Sequence, residues 1–116
     1  MRASSHHPGV SERTLGQLDF PRLLARLADV CRTPLGAERA LVANLPASLP
    51  EVLHLQTLTT EARALQEGGE SAPISGAADI RAATDHASRC GVLDPADLVQ
   101  IGNTLRAFWL TRSFFA

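Results

Sequence analysis

Apolar residues recur along this chain in steps of three and four, and most of these runs are bounded by helix-start signals, glycine or proline. A short turn around Leu15 and Leu18 leads to Asp19, whose carboxylate is placed to accept the free amides of a following first turn. Pro21 sits in that turn, where its missing amide costs little. Phe20, Leu23, Leu24, Leu27 and Cys31 then mark one apolar face of a helix ending near Cys31. Thr33-Pro34 repeats the start signal, with Leu35, Leu41, Val42 and Leu45 as the expected buried side and Pro46 beyond the stop. Ser48-Leu49-Pro50-Glu51 is a capping box, in which each side chain can satisfy the other residue's backbone amide. Val52, Leu55, Leu58, Ala62 and Leu65 follow at near-heptad spacing until Gly68-Gly69 closes the helix.

Residues 68–78, rich in Gly, Ser, Ala and Pro, read as a connecting loop. Ile80, Ala83, Ala87 and Cys90 predict a further helix with a small-residue face, closed by Gly91. Asp94-Pro95 with Asp97 opens the last helix, its carboxylates complementing the positive helix end. No segment alternates as a strand. The fold class is all-α, a bundle of about five helices with a long C-terminal helix, over residues 12–116; residues 1–11 hold little to bury and are expected to form a flexible tail.

The last helix is unusual. Leu98, Ile101, Leu105, Phe108 and Phe115 fit one heptad-like stripe, whereas Trp109, Leu110 and Phe114 fall elsewhere around the helix. A helix apolar on all sides must be surrounded. The pattern is still running at Ala116, so either further polypeptide or a helical partner is expected over Phe108, Trp109, Phe114 and Phe115.

Composition changes this picture little. Eleven basic against twelve acidic residues give a formal net charge of −1, which excludes a global attraction to nucleic acid or anionic membranes. Every basic residue is arginine, a guanidinium suited to phosphate, but Asp79, Asp85, Asp94 and Asp97 interleave with Arg81, Arg89, Arg106 and Arg112. Two cysteines, Cys31 and Cys90, are too few and too distant for a disulfide framework or zinc motif and read as small core residues in a reducing cytoplasm. No apolar run approaches a membrane span or a secretion signal.

Motifs that carry chemistry are missing. The sequence holds no GxxxxGK[ST] loop, HExxH, CxxC or GxSxG, and Glu70 follows Gly68-Gly69 where a phosphate cradle needs donors. Asp94/Asp97 and Glu67/Glu70 have separations compatible with acid–base work, yet their places at helix ends explain them. His54 and His86 read as exposed helix positions; His6 and His7, being adjacent, do not share a helical face. No catalytic, cofactor-binding or metal-ligating residue is assigned.

Several blocks, in order, resemble one family. Ser11-Glu12-Arg13-Thr14-Leu15, Leu18-Asp19-Phe20, Thr33-Pro34-Leu35-Gly36, Thr60-Glu61-Ala62, Asp79-Ile80-Arg81 and the run from Gly91 to Leu98 are similar to the N-terminal region of the bacterial MutS-II proteins, endonuclease-type paralogues of mismatch-repair MutS. The resemblance implies the N-terminal part of a MutS-like helical core, its last helix running toward a lever arm. For the parent it implies an ATPase using ATP and Mg, a nuclease domain, homodimerisation, binding of branched DNA, suppression of recombination and action on collided ribosomes through rRNA. None of those motifs lies in this sequence, so the resemblance implies a scaffold. The alternatives from the residues alone are a free-standing helical interaction module or a truncated reading frame without function.

Overall fold

A computed structural model describes residues 9–116, and every regular element among them is a helix. In chain order these are α1 (Glu12–Gln17), α2 (Phe20–Asp29), α3 (Pro34–Leu41), α4 (Leu49–Glu67), α5 (Arg81–Ser88) and α6 (Pro95–Phe114). The all-α class with a long C-terminal helix is thus observed. His6, His7 and most of the expected N-terminal tail lie outside the described residues; Ser11, assigned to that tail, is instead the N-cap of α1, its hydroxyl accepting from the Thr14 amide at 3.2 Å.

The helix ends follow local chemistry. Thr33 caps α3 by accepting from the Gly36 amide at 3.1 Å. A Cβ on Gly36 would lie 2.9 Å from that hydroxyl, which is why glycine stands there. Ser48 caps α4 through the Glu51 amide, while the Glu51 carboxylate reaches one residue past the reciprocal partner expected and accepts from the Ala47 amide at 2.8 Å. Gly69 takes the left-handed φ of 80° that ends α4, and the Glu70 amide closes back onto the Leu65 carbonyl. Two junctions differ from expectation. Asp19 adopts φ 54° and caps α2 with its backbone carbonyl, which accepts from the Leu23 amide. At the end of α5 the left-handed residue is Cys90, φ 60°, not Gly91; a side chain on Gly91 would collide with the His86 ring.

The chain divides into two compact units. One comprises the described residues up to Asp29 together with Arg39–Ser71; the other comprises Val30–Glu38 and Ala72–Ala116. In the first, α1 packs on α2, Leu15 and Ala40 are buried, and Phe20 and Leu24 are half-buried. Much of the core expected there is not core. Leu23, Leu41 and Val42 are exposed, Leu27 and Leu58 are each 47% exposed, and along α4 only Val52 is half-buried. Cys31 is half-buried and Cys90 exposed, so neither is a core residue as expected.

The second unit is held by small residues. Thr104, in the middle of α6, is fully buried, and its hydroxyl accepts from the Ala78 amide at 3.0 Å. Ala77 and Ala107 are buried beside it, and a Cβ on Gly76 would stand 3.7 Å from that of Ala107. The 72–80 segment is therefore strapped onto α6 by close backbone approach and one hydrogen bond to a hydroxyl closed off from water. Thr104→Val keeps the shape but leaves the Ala78 amide unpaired, and is expected to cost about 1–3 kcal/mol; Thr104→Ser, which retains the acceptor, should cost less, as read from urea unfolding of the two variants.

Candidate interaction surface

The features most open to function are apolar faces without a cover and one cluster of charges. On α6 the stripe turned inward is Ile101, Thr104, Ala107, Leu110, Thr111 and Phe114, each buried or half-buried. Turned outward are Leu98, Leu105 and Trp109, the last 65% exposed, flanked by Phe108 and Phe115. The stripe expected from sequence therefore straddled two faces: Ile101 points in, whereas Leu98 and Leu105 point out. The terminal aromatics divide likewise. Phe114 lies half-buried on the inner stripe and meets exposed Phe115 edge to face, ring centroids 5.0 Å apart.

On α4, Leu49 and Leu53 are exposed on one side, and Leu55, Leu58 and Leu65 on another. Beside them a shallow groove of about 510 Å³ is floored by Val52 and Leu55 and rimmed by Thr59, Thr60 and Arg63. A smaller hollow of about 380 Å³ lies between Leu18, Leu23 and the guanidiniums of Arg22 and Arg26 on α2. The hydroxyls of Thr57, Thr59 and Thr60 each donate to the carbonyl four residues back, so they are engaged with their own helix.

The charge cluster sits at the start of α5. Arg81 donates from Nε and Nη2 to the Asp79 carboxylate at 2.9 and 2.7 Å, and from Nη1 and Nη2 to Glu38 on α3 at 3.3 and 2.6 Å. The Arg81 amide also donates to Asp79, which fixes the turn into the helix. Arg89 and Arg63 are paired with Asp85 and Glu67 one turn away. Of the four arginines that could face phosphate, Arg81 and Arg89 thus have their charge answered by carboxylates. These pairs are solvent-exposed and orient the segment more than they stabilise it.

The remaining candidates are dispersed. Glu67 pairs with Arg63, Asp94 is the N-cap residue of α6 and Asp97 lies in its first turn, as their helix-end positions suggested. His54 and His86 are exposed on α4 and α5. Among the described residues no group of three His, Cys, Asp or Glu side chains is gathered as a metal would need. No helix among them is long and apolar enough to cross a membrane.

The Arg81 cluster has a measurable signature. Hydrogen bonds from Arg81 hold Asp79 down to about 2, below its ordinary 3.8, and hold Glu38 below its ordinary value as well. Because both folded values are depressed, what these pairs contribute is complete above the unfolded carboxylate range and is lost as pH falls through the folded values, about 2 for Asp79. Carboxyl carbon NMR should show Asp79 titrating near 2, and Arg81→Ala should return both midpoints toward ordinary carboxylates; unchanged midpoints in that variant would refute the cluster.

No family model and no solved structure matches the chain. Curated relatives do. Over 95 residues, 82% of this chain, it is 41% identical to the Endonuclease MutS2 of Symbiobacterium thermophilum. It is 33% identical over 103 residues to that of an Anaeromyxobacter species and 30% identical over 106 residues to that of Pelotomaculum thermopropionicum. The matches cover most of this chain but only 12%, 13% and 14% of those relatives. The chain therefore belongs to the MutS2 family, with its homology to the N-terminal region of those proteins.

Proposed function

We propose that this chain is the N-terminal scaffold of a MutS2-type nucleic-acid-processing protein, and that its role is to pack against further helical polypeptide rather than to carry out a reaction. The observation behind this reading is the amount of surface left uncovered. The chain exposes 9394 Å². Two separate compact halves of a chain this size would expose about 7,400 Å², so the surplus is about 2,000 Å², more than eight fully extended residues could add. A surplus of that order is what permanent interfaces cover, and here it includes leucines and aromatics.

On this reading the endonuclease activity in the relatives' name belongs to polypeptide outside these residues, as do the ATP and Mg chemistry, the homodimer contacts and the DNA and ribosomal contacts that the family resemblance implies. A cytoplasmic location is part of the same proposal. A second reading, a free-standing helical module that associates through α6, is favoured by one observation, the exposed outer stripe of that helix.

The test is complementation in trans. The Symbiobacterium thermophilum relative, produced without its matching 95 residues, is mixed with this chain. A one-to-one complex that raises the melting temperature of both is expected. Leu58→Ala should cost the isolated chain under about 1 kcal/mol, since the side chain is half in water, and about 2–5 kcal/mol in the complex, where it would be covered. Equal costs in both settings, or no complex, would sink the scaffold reading.

A further inference from the structure

We infer that the hollow on α2 between Leu18, Leu23, Arg22 and Arg26 is a docking site for an acidic amphipathic helix, one that sets two carboxylates on the arginines and an apolar residue on the leucines. This occupant deepens the scaffold reading, on which it rests, by naming the chemistry of one helix that the scaffold packs against. The first ground is charge left unanswered. Arg63, Arg81 and Arg89 each reach a carboxylate of this chain. Arg22 and Arg26 do not, although Asp19 stands three residues before Arg22 and Asp29 three residues after Arg26, a helical spacing at which ion pairs form. Among the described residues neither guanidinium has a partner, and residues 1–8 contain no acidic side chain that could supply one. Two like charges one turn apart, with about 6 Å between their Cβ atoms, repel each other until anions answer them.

The second ground is apolar surface at the same place. Phe20 and Leu24, on the inner face of α2, are half-buried, whereas Leu23 and Leu27 beside them and Leu18 at the corner stay exposed, Leu18 at 71% and Leu23 at 60%. The apolar face of α2 is thus covered along one edge and open along the other, next to the arginines. The hollow there measures about 380 Å³ and runs from the corner at Leu18 to Arg26, about two helical turns. A helix laid alongside meets Arg22 and Arg26 with residues of the same four-residue spacing, and its apolar side with Leu18 and Leu23.

The lining of the hollow decides which anion fits. A nucleic-acid backbone brings phosphates but little that is apolar for Leu18 and Leu23, and it gains affinity by having many phosphates neutralised, where this hollow offers two cations. Asp19, which lines the same hollow, would repel it. A peptide helix can carry glutamates one turn apart, a leucine beside them and a lysine for Asp19. The order of charges along the hollow, minus at Asp19 and plus at Arg22 and Arg26, is then answered by plus, minus and minus on the partner. Each guanidinium adds the planar, two-point geometry that a carboxylate matches.

Peptide binding to the 116-residue chain tests this. Two labelled peptides of about 20 residues, long enough to form helix, are compared. One carries glutamates one turn apart beside leucines, with a lysine a turn away; the other has glutamate and lysine exchanged. By fluorescence anisotropy at low salt the acidic peptide should bind about tenfold more tightly, since it gains two guanidinium pairs where the other meets two like charges, and added salt should shrink the difference. Its binding should move the amide NMR signals of residues 18–26. Arg22→Glu with Arg26→Glu should invert the preference, and Arg22→Gln with Arg26→Gln should abolish it. Both side chains are exposed, so the glutamine pair keeps the fold even if the glutamate pair does not, as circular dichroism will show. Equal binding of the two peptides, or a preference that the glutamine pair leaves intact, overturns the proposal. So does a short DNA duplex that moves the same amides and binds more tightly than the acidic peptide, which would make the hollow a phosphate site. A complex in trans with the relative's remaining polypeptide, formed while the two peptides bind alike, would sink this inference and leave the scaffold reading standing.

Discussion

The second unit depends on how closely the 72–80 segment can approach α6. That approach is possible because α6 turns its smallest residues toward the segment: Ala107 meets the Gly76 backbone, and the Thr104 hydroxyl takes the Ala78 amide. The Ala78 amide is half-buried and its acceptor, Thr104, is closed off from water, so the contact is hard to replace once the segment is down. It also has a consequence on the far side of the helix. With the middle of the inner stripe committed to small residues, Leu98, Leu105 and Trp109 are directed into solvent. The close contact inside and the apolar stripe outside are one arrangement viewed from two faces.

The charges extend that arrangement without replacing it. From Ala78 the chain runs directly into Asp79, and Arg81 ties Asp79 to Glu38. A guanidinium with two carboxylates fixes direction well because its donors lie in a plane. Exposed as these groups are, the energy of the unit resides in the strap, and the cluster sets where α5 begins. It also explains why an all-arginine composition does not by itself make a phosphate-binding face: Arg63, Arg81 and Arg89 each point at a carboxylate of this chain.

What could be read in the sequence was what is decided within a few residues. Thr33, Ser48 and Gly69 do the capping and terminating work their types suggest, because a cap is made by a hydroxyl or a left-handed glycine and amides three or four positions away. Asp19 and Cys90 were harder, since either can adopt positive φ and nothing local demands it. The burial of faces was read least well. Periodicity says which residues share a side of a helix, and Leu55, Leu58 and Leu65 do share one, but not whether anything lies opposite. On α6 the spacing admitted two stripes, and the choice between them was made by Gly76 and Ala78, some thirty residues earlier, through contacts that leave no periodic trace. The family membership was legible for a different reason, as ordered blocks rather than as any single site.

The two long helices differ in the kind of cover they call for. On α4, Leu49 and Leu53 lie on one side and Leu55, Leu58 and Leu65 on another, with little to distinguish an inside from an outside. A helix whose leucines emerge on two sides has them all covered only when more than one neighbour packs on it, and a single partner helix would leave one side wet. The scaffold reading accounts for such a helix, since the chain matches proteins seven to eight times the matched length. On α6 the apolar outer stripe carries Arg112 within it and Arg106 beside it and is open at Gly102, so it presents one side rather than a whole circumference. Enclosure at α4 and cover along one side of α6 are therefore separate demands, and meeting one does not meet the other.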